Sequence, residues 1–89
     1  MSELPELRDE LTRLEAEKSY DGMLAVRERI LAEHPDTEDA VEALYKIGLH
    51  CLFHGRDLTQ ATQHFEQAAK KKHPYWSAAA RTSLGICYY

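Results

Sequence analysis

Three side chains could do chemistry together: His50, Cys51 and His54. Histidines one helical turn apart can chelate a metal from a single helix face. Cys51, however, projects about 100° from His50 around a helix, toward the side that packs. No nearby carboxylate offers a further ligand, so the pair reads as two histidines on a solvated stripe and no metal is expected. His34 and His73 precede prolines at helix boundaries, and His64 falls on a polar helix face. No glycine-rich phosphate loop, no HExxH and no Cys-x2-Cys pair is present. These residues predict neither enzyme nor cofactor, which leaves a binding surface as the expected means of action.

The elements that would carry such a surface are five helices. Helix 1 is expected from about Glu3 to Lys18, with Leu4, Leu7, Leu11 and Leu14 as one narrow apolar stripe. Ser2 is placed to cap it, and Pro5 is tolerated in a first turn. The stripe predicts docking on helix 2; two heptads are too few for a coiled coil. Ser19-Tyr20-Asp21-Gly22 reads as the break. Helix 2 then runs to about Glu33, with Met23, Val26 and Ile30 inward and Leu24 and Leu31 beside them. Pro35 ends it by pushing the preceding residue out of the α region. Asp36 or Thr37 caps helix 3, about Glu38 to His54.

Helix 3 is the most apolar element. Ala40, Ala43, Leu44, Ile47, Gly48 and Cys51 form one face; Tyr45, Leu49, Leu52 and Phe53 form a second; Glu42, Lys46, His50 and His54 form the polar stripe. A helix apolar over so much of its girth is central or carries a partner surface. Three uses of the second face are open: packing within the domain, self-association, or an external ligand. Gly55 closes helix 3, and Arg56 follows as an extra residue. Asp57 caps helix 4, with Gln60 completing a box-like start. Its buried stripe is Leu58, Ala61, Phe65, Ala68 and Ala69. Lys70-Lys71-Lys72 sits where cations complement a helix C-terminus, a cheaper account than nucleic-acid binding. Helix 5 is expected near Pro74 and continues to the end.

The spacing Leu44-x2-Ile47-Gly48-x2-Cys51 followed by Ala61-x3-Phe65 resembles the tetratricopeptide (TPR) repeat, W-x2-L-G-x2-Y then A-x3-F. Leu84-Gly85-x2-Tyr88 repeats the Leu, Gly and Tyr positions, with Gly85 lying 37 residues after Gly48. The passage 35–40 is similar to the longer inter-repeat turn of bacterial TPR proteins of outer-membrane assembly and the Tol–Pal system; their location and partners are not carried over. Met23 and Arg27 stand where the family prefers Ala and Phe, so the first unit is degenerate. The resemblance implies an all-α fold, a TPR-like helical-hairpin repeat or α-solenoid fragment. It implies one domain over 1–89: a degenerate repeat 1–36, the best repeat 37–74 and a half repeat 75–89. Close approach is expected at both Gly48 and Gly85, in a right-handed stack.

The family's function is binding, and the resemblance places Tyr45, Leu49, Leu52 and Phe53 in a groove with Ile86 and Tyr89. It predicts an adaptor or scaffold for a peptide or partner helix. The half repeat leaves Leu84, Ile86, Tyr88 and Tyr89 partly bare, which predicts instead a homo-oligomer or a longer array. A metal-binding regulator built on His50 is a third, weaker class.

Composition sets the limits. Eighty-nine residues with 44% hydrophobic and 29% charged content describe one small globular domain. Residues 1–45 carry 5 Lys/Arg against 13 Asp/Glu, and residues 46–89 carry 6 against 2, two poles that disfavour nucleic acid at the acidic end. No membrane span and no secretory signal is seen, so a cytoplasmic location is expected. Cys51 and Cys87 read as buried free thiols.

Overall fold

The structure is a computed structural model that describes residues 3–55 and 57–88, and of Tyr88 the backbone alone. Five helices follow one another: α1 (Leu4–Glu17), α2 (Tyr20–Glu33), α3 (Glu38–Phe53), α4 (Leu58–Lys70) and α5 (Trp76–Tyr88). There is no strand among the described residues. The fold is all-α and repeat-like, each helix packed on the next, and α3 also packs on α5.

Local chemistry sets most of the ends. Glu3 holds the N-cap position of α1 in an extended conformation, with Pro5 in the first turn. The expected cap, Ser2, lies outside the described residues, as does Arg56. Lys18 adopts the left-handed conformation, φ 57°, so that its N–H donates to the Glu15 and Leu14 carbonyls and α1 stops there. The reversal thus needs only Lys18 and Ser19, and α2 starts at Tyr20 rather than after Gly22. Gly22 serves inside α2 instead: a Cβ there would lie 2.9 Å from Leu14 Cδ2.

Thr37 caps α3, its Oγ1 accepting from Ala40 N–H at 3.2 Å, and Asp57 caps α4, accepting from Gln60 N–H at 3.0 Å. Helix α5 begins at Trp76, two residues after Pro74, because His73 provides the cap. Its Nδ1 accepts from the N–H groups of Tyr75 at 3.2 Å and Trp76 at 3.1 Å.

Two apolar clusters hold the helices. Leu7, Leu14, Met23, Val26, Ile30 and Ala40 form the first, with Leu4 and Leu11 against it, so the α1 stripe does dock on α2. Val41, Leu44, Ala61, Phe65, Ala68 and Ala80 form the second, and Leu31 packs against both. In the second cluster Gly48 does what its spacing implied. A Cβ there would meet the Phe65 ring at 2.6 Å, so the α3–α4 approach depends on its absence. Gly85 departs from the expectation: a Cβ there would meet nothing within 4 Å. A close-approach glycine needs a helix on its own face, and none of the described helices lies there. The cysteines also differ, both being free but half-buried rather than enclosed.

Ser77 is a buried polar latch that ties α4 to α5. Its Oγ donates to Ala68 O and accepts from His73 N–H, both at 2.7 Å, with the residue 1% exposed. Ser77→Ala strands the His73 N–H and leaves Ala68 O with Lys71 N–H alone, so a loss of about 2 kcal/mol is expected in urea unfolding. Thr82→Ala, at an exposed position, should change little by the same measurement.

Candidate binding groove

The spacing of the helices creates the site. Arg8 on α1 donates to Asp39 at the start of α3, through Nε at 2.7 Å and Nη2 at 2.6 Å. Near their other ends, Glu15 and Lys18 face Leu49 and His50 across an open space. Thus α1 and α3 run in the same direction, yet no Cα of one comes within 8 Å of the other. The gap between them is a groove with α2 as its floor.

One end of the groove is lined by Tyr20, Met23, Leu49 and Phe53, with Glu15, Lys18, Arg27, Lys46, His50 and His54 around them, and holds about 380 Å³. It continues past Glu15 and Arg27 to Arg8, Leu11, Thr12, Glu38, Asp39 and Glu42. Phe53 is 65% exposed and Tyr20 52%, so both rings present apolar surface to the groove. His54 stacks on Tyr20 at 5.5 Å between centroids, and His50 lies 5.2 Å from His54. The α3 wall is therefore aromatic as well as polar.

The expected site residues divide. Leu49 and Phe53 line the groove. Tyr45, half-buried, lies instead on the α4–α5 side, 5.9 Å from the Phe65 ring and 5.6 Å from Trp76. Leu52 packs half-buried against the second cluster. Ile86 stands on α5 away from the groove, 61% exposed. Tyr89 lies outside the described residues. Helical periodicity had grouped Tyr45, Leu49, Leu52 and Phe53, but α5 covers part of that face and leaves the rest open.

Arg27 is the groove residue that pattern-reading passed over. It takes the position in α2 that Phe65 takes in α4, and its side chain is 16% exposed. Burial draws the guanidinium below its ordinary value, while Glu15 and Glu42 push it back. Lys46 lines the groove while its Nζ rests over the Trp76 ring of α5, 5.7 Å from its centroid.

Cys51 packs against the second cluster, whereas His50 and His54 face the groove. Burial, then Asp57 and Glu28, push the Cys51 thiol above its usual range, which disfavours the reactive thiolate. Among the described residues no group of three or more His, Cys, Asp or Glu could hold a metal ion. No described helix is long and apolar enough to cross a membrane.

The Arg8–Asp39 pair closes one end of the groove. The hydrogen bond from Arg8 holds the Asp39 carboxyl below the usual carboxylate range, against the opposing effect of burial. A depressed folded value stabilises at pH above the unfolded carboxylate value, near 4, and that contribution is lost as pH falls through the folded value. Because Arg8 is solvent-exposed, the contribution is small. Asp39→Asn should therefore lower stability slightly at pH 7, with the difference from the parent shrinking in acid unfolding titrations below about pH 4.

Comparison with protein-family models, with curated proteins and with solved structures found no match.

Proposed function

We propose that this chain is a protein–protein interaction module, a TPR-like adaptor or scaffold that holds a peptide or partner helix between α1 and α3. The observation that carries the reading is an exposed Phe53 beside Leu49, Met23 and Tyr20 in a helix-walled groove rimmed by charge. Apolar anchors inside a polar rim are what helix-in-groove recognition requires. Nothing in the groove suggests a nucleophile with its base, and the same reading makes the chain a non-enzyme without cofactor, acting in the cytoplasm.

A displayed library of random amphipathic peptides tests it. The parent should enrich binders that Phe53→Glu loses, while its far-ultraviolet circular dichroism and melting stay those of the parent. Failure to enrich any peptide, or enrichment indifferent to Phe53→Glu, would refute the groove.

Self-assembly through α5 is the second reading, favoured by exposed Ile86 beside open Gly85. Light scattering behind size exclusion, at high micromolar concentration, should then show an oligomer that Ile86→Glu dissolves and Leu49→Glu leaves intact. A clean monomer removes this reading.

A further inference from the structure

The groove has two electrical ends. Around Tyr20 and Phe53 it carries Lys18, Arg27 and Lys46 against Glu15. Toward the start of α3 it carries Glu38, Asp39 and Glu42 against Arg8, and Arg8 is already engaged by Asp39 at 2.6 Å. Two of its three cations, Lys18 and Arg27, come from the acidic half of the chain, so the net charge of that half does not describe this end.

Arg27 lies where the two ends meet. A guanidinium carries five N–H donors in a planar fork suited to a carboxylate. Here its one ion pair, to Glu15 Oε1, is 3.9 Å long, and it makes no hydrogen bond among the described residues. The side chain faces the groove at both ends. A half-buried cation so weakly paired gains more from an arriving carboxylate than an exposed one would.

The occupant must also satisfy its own backbone. The walls are helices, whose N–H and C=O groups are spent internally, so an extended peptide over Met23, Leu49 and Phe53 would depend on water or side chains to pair its own. A helix does not. The α3 wall has 16 residues, about 24 Å long, and a partner helix of about that length spans both ends.

Building on the groove reading, we infer that the occupant is an amphipathic helix of a partner protein with opposed charged ends. Its carboxylates lie over Lys18, Arg27 and Lys46, its basic side chains over Glu38 and Glu42, and its apolar face on Met23, Leu49 and Phe53. The groove then sets the direction of the bound helix as well as its place. Charge steering of this kind is screened by salt, so affinity falls as ionic strength rises.

The test is selection from a displayed library of amphipathic helices with randomised ends, on the parent and on Arg27→Gln, Lys46→Glu and Glu42→Lys, each checked by circular dichroism. Arg27→Lys is the charge-retaining control. Parent-selected sequences should carry Asp or Glu at one end and Lys or Arg at the other. Converting the acidic end of such a peptide to amides should weaken binding about tenfold, as should Arg27→Gln. Lys46→Glu should invert the preference at the acidic end alone, and Glu42→Lys at the basic end alone. Binders without end bias, or with a bias unmoved by these reversals, overturn the inference; if Phe53→Glu still abolishes them, the groove reading stands. No enrichment at all overturns both. A dimer that competes with selected peptides and that Phe53→Glu dissolves would put a second copy in the groove and also overturn it.

Discussion

Phe65→Ala is expected to remove about 4 kcal/mol of stability, the largest loss available from one side chain here. The ring is 0% exposed and sits among Leu44, Ala61, Ala68 and Ala80, beneath Gly48. Four of those neighbours are alanine or glycine, which have no side chain long enough to swing into the hole, and Tyr45, 5.9 Å from the ring, is itself packed on Trp76. The cavity therefore persists, and the cost approaches the upper range for Phe→Ala rather than the lower. A chain of this length has about 4–13 kcal/mol in total, so the variant is left near or past its margin. Urea unfolding followed by circular dichroism measures it, with the melting temperature expected to fall by about 20 °C. A loss below about 1 kcal/mol would mean that the ring is not the centre of the α3–α4 contact.

Gly48→Leu should cost about 3 kcal/mol from the opposite direction, by overfilling the same place. The first added carbon already falls 2.6 Å from Phe65 Cε1 and 2.8 Å from Cδ1. The ring cannot yield, being enclosed on its other sides, so α3 and α4 must separate. Leucine's better helix propensity returns less than about 1 kcal/mol and does not change the sign. At Gly85 the same kind of substitution should do the reverse. A Cβ there meets nothing within 4 Å, so Gly85→Ala keeps the propensity gain and stabilises by up to about 1 kcal/mol. Combining Gly48→Leu with Phe65→Ala adds a discriminating measurement. The new side chain occupies the vacated space, and the pair should cost clearly less than the two losses added together. Strict additivity would separate the two residues and contradict the observed contact.

Gly48 and Gly85 show how far pattern carries and where it stops. Both sit in the same short motif, and the motif is read from spacing alone. At Gly48 the partner, Phe65, is brought back by the very next helix, so a short reversal guarantees the meeting. At Gly85 the motif demands a neighbour that the described helices do not supply. Arg27 makes a similar point. As a departure from Phe in a degenerate repeat it looks like a lost core residue, yet its side chain turns to the groove and stays charged.

The chain's own order of residues determined the five helices, the Thr37 and Asp57 caps, the docking of the α1 leucine stripe and the Gly48–Phe65 contact. Those features rest on interactions within a few residues, or between helices joined by short turns, where spacing leaves little choice. Tertiary structure alone decided that α5 would cover Tyr45, that α1 and α3 would stand apart, and that Arg27, Lys46 and Phe53 would share one groove with Glu42 at its far end. It also decided that His73 and Ser77 would together fasten α5 to α4. Each depends on how non-adjacent helices are spaced, and that spacing follows from side-chain volumes summed over a whole interface rather than from any local run of residues.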